Sequence, residues 1–325
     1  MAKHVQKQAQ GSKTRGLALA TSLLGSLACG AAGLAEARWG TLSLLAGEAG
    51  PARHGLRAAG ELDIAQNLRA LDMAGRLQTL SQTMTVRSLL AALAIDKAAN
   101  IAALDREHAS FARIIAGLRR GDAELGLGRA EHPEILRKLA RLEKEWSIFG
   151  PVVRKIVKNG EVSPRNVAIV AECIKPLAEG TRELIEVVQY YATGGQTFSV
   201  MTSMIGASEA QHALISEMAA GYLLVAYGHK PKAYRAKLRD QVALFEQTLQ
   251  GLIHGDGRRK LLAAPTAALD ARLREALELW RGQRAALRAV AEGGEVDRES
   301  IPDFMRRNAA LAVEIGKAVE LYKGI

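Results

Sequence analysis

Along most of the chain, apolar residues recur every three or four positions. Ile64, Leu68, Leu71, Leu77, Leu80 and Met84 form one such stripe, the spacing that puts side chains on one face of a long helix. The same pattern predicts a second helix over about 103–120, stopped by Gly121, and a third over about 133–158, stopped by Gly160. A fourth begins after Ser163-Pro164. Serine is a strong N-cap, and proline's fixed φ and missing N–H suit the first helical position. This helix ends near Thr193-Gly194-Gly195. No stretch alternates polar and apolar for long enough to be a strand. Short connections between four successive helices favour antiparallel neighbours in a bundle.

The pattern then repeats. Shifted by 134 positions, Trp146 falls on Trp280, Phe111 on Phe245, and Gly160-Glu161-Val162 on Gly294-Glu295-Val296. Gly117-Leu118 with Gly121-Asp122 fall on Gly251-Leu252 with Gly255-Asp256, and Leu80, Met84 and Leu89-Leu90 on Leu214, Met218 and Leu223-Leu224. Asp297 takes the place of Ser163, one good N-cap for another. One offset serves every pair, so the halves match with almost no net insertion, loops included. Solenoid units run about 20–50 residues; a repeat this long is a duplicated domain. The expected fold is all-α, two tandem antiparallel four-helix bundles related by internal duplication, over residues 56–190 and 191–325.

Composition agrees: Ala, Leu, Glu, Arg and Lys dominate, and aromatics are only 4%. The N-terminus differs. Lys3, Lys7, Lys13 and Arg15 precede an uncharged stretch from Gly16 to Leu34, the order of an export signal. Ala35-Glu36-Ala37 offers a cleavage site, so residues 1–37 read as a signal peptide. Nineteen residues also approach a membrane span, which leaves an N-terminal anchor open. The Gly-, Ala- and Pro-rich residues 38–55 read as a linker. The expected location is the periplasm, free or anchored to the periplasmic face of the inner membrane. Removal of Cys29 with the signal leaves Cys173 alone, so no internal disulfide is expected, and Cys173 reads as a buried small hydrophobe. The net charge of +10 is spread over many short basic runs with acidic residues interleaved. That is the pattern of a solvated helical surface, and nucleic acid is not expected as a partner.

Candidate chemistry is sparse. The chain has no Gly-rich phosphate loop, no Cys/His metal spacing and no nucleophile elbow. Glu209 and His212 stand three apart on a helix, as in carboxylate di-iron bundles, but the matching positions in the first copy are Gly75 and Gln78. No catalytic residue, metal or cofactor is assigned, and an enzyme is not expected. The segment Ala74 to Met84, AGRLQTLSQTM, is more informative. Gly75 costs a helix interior roughly 1 kcal/mol relative to Ala, and with Ala74 it removes bulk from one face, permitting close approach by another helix. Beside it, Arg76 offers a planar guanidinium suited to a small oxyanion. Ser81 and Gln82 add neutral donors further along.

This segment resembles the motif of PilJ/NarX-like N-terminal sensor domains, approximately AGRQRMLSQRM followed by an Ala- and Leu-rich helix. Ala74, Gly75, Arg76, Leu80, Ser81, Gln82 and Met84 match it, and Leu89-Leu90 continue it. In the second copy Gln211, Leu214, Met218 and Tyr222-Leu223-Leu224 match, while the Gly-Arg pair has become Glu209-Ala210. The resemblance implies a periplasmic four-helix sensor module of the kind found in type IV pilus chemotaxis transducers and nitrate/nitrite sensor kinases. It implies a small anion, such as nitrate or nitrite, as ligand, and a membrane sensor or chemotaxis protein as partner. A homodimer is implied too, with Arg76 in the anion-binding role and Gly75, Ser81 and Gln82 around it. Two further motif arginines are Gln78 and Thr83 here, which weakens the anion field, and Glu209 would repel an anion in the second copy. From the end of the sequence at Ile325, no second span, signalling hairpin or kinase is expected after the last helix. The expectation is therefore a non-catalytic sensor that works through a partner, or a degenerate one used as a scaffold in envelope or type IV pilus signalling.

Overall fold

The structure, a computed structural model, describes residues 51–192 and 200–324. The segment read as a signal or anchor, Cys29 and the linker as far as residue 50 lie outside the described residues. Residues 60–325 form one compact unit, and the matched positions of both copies lie in it.

The first copy contains α1 (Pro51–Ala92), α2 (Lys97–Arg120), α3 (Pro133–Asn159) and α4 (Pro164–Ala192). The second contains α5 (Val200–Tyr227), α6 (Pro231–His254), α7 (Ala267–Ala291) and α8 (Ile301–Lys323). There is no strand among the described residues, only two isolated bridges. α1 begins at Pro51, inside the stretch that composition suggests is a linker.

Periodicity explains the cores. Leu104, Phe111, Ile115 and Leu118 of α2 are buried, and so are Leu238, Phe245, Leu249 and Leu252 at the matching positions of α6. Within the second copy α5 packs on α6, α6 on α7, α7 on α8 and α8 back on α5, which closes the bundle. In the first copy α2 packs on α3 and α3 on α4, while Leu77, Met84, Leu89 and Leu90 carry α1 into the core. Phe111 stacks on Trp146 with ring centroids 4.2 Å apart, and Phe245 meets Trp280 at 4.3 Å. Cys173 is buried and free, and burial pushes its thiol up to about 11.

The backbone repeats as closely as the letters. Ala94 and Asp96 take positive φ at the α1–α2 tip, and so do Gly228 and Lys230 at the α5–α6 tip. Gly121 (φ 88°, ψ 150°) ends α2 and Gly255 (φ 86°, ψ 147°) ends α6, a backbone region that essentially only glycine enters. Each is followed by a small bridged loop, Asp122 with Leu127 and Asp256 with Leu261, paired through both backbone hydrogen bonds.

One loop departs from the expected match. Gly160 caps α3 in the left-handed conformation, but α7 already stops at Ala291 and Gly293 carries the positive φ. Ser163 caps α4 by accepting from the Asn166 N–H. Asp297 instead accepts from the Glu299 N–H and opens a 3-10 turn, Arg298–Ser300, before α8 begins. Pro164 presets the first turn of α4; Arg298 at that place leaves the tighter turn available, and Pro302 enters one turn later.

Candidate functional site

The motif lies in the middle of α1. Ala74 is buried in the core of its own bundle, whereas Arg76 is exposed and makes no ion pair or hydrogen bond with the described residues. Gly75 does not serve the close helix crossing that its residue type suggests. A Cβ built on it would meet nothing within 4 Å. The missing side chain leaves open space beside Arg76 and no packed contact.

Serine and threonine form a stripe along α1, and their hydroxyls turn back on the helix. Ser81 Oγ donates to the Gln78 carbonyl at 2.8 Å, Thr85 Oγ1 to Ser81 at 2.8 Å and Ser88 Oγ to Met84 at 2.8 Å. Such local bonds satisfy hydroxyls that burial would otherwise strand. Ser81 therefore keeps only acceptor capacity for anything else. Gln82 is half-buried and lines, with Ser81 and Thr85, a narrow cleft of about 20 Å³ whose other walls come from α4 and α5. This is room for about one water. At 100° per residue, Arg76 stands about 120° round the helix from Gln82. The four sequence candidates thus divide, with Arg76 and Gly75 open to solvent and Ser81 and Gln82 at the cleft.

The strongest polar cluster was not singled out by residue type. Arg87 is buried at the end of α1, and its Nε donates to Glu107 Oε1 at 2.7 Å while Nη1 donates to Asn100 Oδ1 at 3.2 Å. Asn100 Nδ2 in turn donates to the Ile95 carbonyl at 2.9 Å and the Asp96 carbonyl at 3.3 Å. Burial raises the Glu107 carboxyl above its ordinary range, against the pull of Arg87. The network ties α1, the positive-φ tip and α2 together. Its sequence signal was a basic residue three positions after Met84, within the apolar stripe.

In the second copy, Glu209 at the place of Gly75 pairs with Lys323 Nζ at 2.9 Å. His212 is half-buried beside Gly316, and burial lowers its imidazole pKa. Among the described residues no group of three or more His, Cys, Asp or Glu could hold a metal ion. A roomier groove, about 570 Å³, belongs to the second copy and is lined by Glu246, Gln247, His254, Asp256, Arg259 and Arg288. Its charges are paired within it or next to it: Glu246 with Arg284 and Arg288, Asp256 with Arg259. The groove carries no part of the motif. Among the described residues no helix is long and apolar enough to cross a membrane.

A search of curated proteins finds none that matches the chain. Residues 67–167, from the apolar stripe of α1 through α2 and α3 to the first turn of α4, match the family model of the type IV pili methyl-accepting chemotaxis transducer N-terminal domain, PilJ, a match that lies within the first copy.

Proposed function

We propose that the chain is an exported, non-catalytic tandem sensor protein that binds a small oxyanion at its first copy and reports occupancy to a membrane signalling partner. The observation that carries this reading is the match of residues 67–167 to a chemotaxis transducer sensor domain. Arg76 supports it further: the guanidinium is exposed, without a partner among the described residues, beside the open space at Gly75. A guanidinium free of internal partners keeps its planar set of donors for an anion. Nitrate and nitrite are the first ligands to try. Gln82 contributes at the edge; Ser81, whose hydroxyl proton goes to the Gln78 carbonyl, offers an anion no donor. A second chain approaching at Gly75 would bring two Arg76 side chains together, and an anion between them would relieve their repulsion.

A thermal-shift series tests this, because a ligand that binds only the native state raises the melting temperature. Nitrate, nitrite and other oxyanions are titrated against the wild-type chain, Arg76→Ala and Arg76→Lys. Stabilisation should vanish in Arg76→Ala and return only weakly in Arg76→Lys, since lysine lacks the bidentate fork. Equal stabilisation of wild type and Arg76→Ala would place the ligand elsewhere. Fractionation tests export: the protein should be recovered from the periplasm or its membrane face, and full-length protein free in the cytoplasm would remove that part of the reading.

One observation favours a second reading, a degenerate sensor domain used as a scaffold in envelope or pilus signalling. The four candidates do not converge on one site, and Glu209 of the second copy already holds Lys323. Absence of stabilisation by any anion would decide for the scaffold.

A further inference from the structure

The narrow cleft behind Ser81 and Gln82 relates the two copies to each other. Its walls are Ser81, Gln82 and Thr85 of α1, Ile174, Leu177 and Ala178 of α4, and Ser216, Glu217 and Ala220 of α5. Gln82 and Ser216 are 134 positions apart and so hold the same place in the repeat, and the α1 and α5 segments span the same turn of the motif helix. Residues 174–178 lie level with 216–220, so α5 runs antiparallel to α4. In an up-down bundle α4 runs antiparallel to α1. α1 and α5 are therefore parallel, side by side and in register.

We propose that the two copies pack as an internal dimer: equivalent faces of α1 and α5 meet about a local twofold axis, and the second copy covers the Gln82 face of the first. A twofold contact uses the same patch on both partners, which the matched register of Gln82 and Ser216 provides. Small side chains let the helices approach, namely Ser81 and Thr85 on one and Ser216 and Ala220 on the other. The seam stays free of unpaired charge. Glu217, which replaces Thr83, accepts from Gln241 Nε2 at 2.9 Å and lies 3.3 Å from Lys237 Nζ, both within its own bundle. Two bundles strung like beads would bring α1 and α5 together nowhere, and unrelated packing would not put position 82 opposite position 216. The Ser81–Thr85 stretch of α1 is then closed to a second chain. Gly75, seven residues before Gln82, is on the same side of α1. A Cβ built on it would nevertheless meet nothing within 4 Å, so the seam has opened before it reaches the motif and the inference holds whether or not an anion binds there.

The test is cross-linking in the full chain carrying Cys29→Ser. Cys173 can remain, because its buried thiol stays protonated and unreactive. Gln82→Cys with Ser216→Cys, bridged by mild oxidation or a short bismaleimide, should convert to a linked species that light scattering finds at the mass of one chain. Thr85→Cys with Ala220→Cys repeats the test with different side chains, in case the first pair disturbs folding. Ser147→Cys with Arg281→Cys is the control, at matched register and exposed on α3 and α7, neither of which lines the cleft, and should stay unlinked. Links found only in species of twice the mass would overturn the proposal. A control pair linking as fast as the seam pairs would do the same. Loss of anion-induced stabilisation in the thermal-shift series, with the seam links intact, would count against the ligand reading alone.

Discussion

At the far end of their first helices the two copies solve the same problem differently. In the first, Arg87, Asn100 and Glu107 build a buried ion-pair network across the α1–α2 tip. At the matching places the second has Gly221, Tyr234 and Gln241. Leu238 fills the space at Gly221, where a Cβ would meet its side chain at 3.2 Å. Ser88 has become Tyr222, which stacks on Phe304 with centroids 3.8 Å apart, where the first copy has Val170. The second copy also buries Gln211 and Gln283 where the first has Leu77 and Phe149. Through all this, the tips keep positive φ at the matched positions and the small loops keep their bridges. Bundle interiors tolerate polar and apolar exchange provided volume and satisfaction are met. The positive-φ positions exchange residues too, Ala94 for Gly228, Asp96 for Lys230 and Gly126 for Lys260. Only Gly121 and Gly255, in the region that glycine alone enters, hold to one residue type.

The largest test of this contrast is the loss of one partner from each tip. Glu107→Ala leaves Arg87 buried without its carboxylate and should cost about 3–5 kcal/mol, read from urea unfolding. Gln241→Ala in the second copy removes a hydrogen bond at a partly exposed carboxylate and should cost on the order of 1 kcal/mol. Equal losses would mean that the network in the first copy contributes nothing special.

Trp146 and Trp280 probe what the copies share. Each sits against its matching phenylalanine, so either change to Ala should cost about 3–5 kcal/mol. Trp280→Ala should cost more, because Trp280 is fully buried and Trp146 only partly. The fluorescence lost with Trp280 should also be the bluer. A redder component lost with Trp280 would mean that its side chain meets water.

Gln211→Leu transfers the first copy's residue into the second. Gln211 Nε2 donates to the Phe245 carbonyl at 2.9 Å, while its Oε1 is buried with no partner among the described residues. Replacing it by leucine should be neutral or raise stability by up to about 1 kcal/mol. A clear loss would show that the amide is needed where it stands.

The smallest effect is in pH dependence. Glu107's carboxyl is raised above 4.5 by burial, so the folded chain holds that proton more tightly than the unfolded one. Its contribution is present below the ordinary value and falls as pH rises through the folded value. Asp122 and Asp256 are lowered, mainly by hydrogen bonds from Arg113 and Arg259. Their contribution is present above 3.8 and is lost as pH falls through the lowered values. Glu107→Gln should remove the downward slope above pH 4.5 and leave the acid limb unchanged. An altered acid limb with the upper slope retained would assign the titration to another group.

Much of this molecule was set by local chemistry, and so was legible in the chain of letters. Gly121 and Gly255 stop helices because few other residues adopt their dihedral angles, Ser163 caps because its hydroxyl reaches the next turn, and the apolar spacing needs only the helical period. Those features depend on a few neighbouring residues, which also explains why the 134-residue repeat carries over into the backbone. The direction in which Arg76 points, the open space at Gly75, the pairing of Arg87 with Glu107 and the meeting of α1 with α5 all depend on residues far along the chain. Residue type made Gly75 a candidate for a tight crossing; only the packing of four helices, which turned that face outward, made it an open one. Local rules place side chains on faces, and the tertiary structure decides what each face meets.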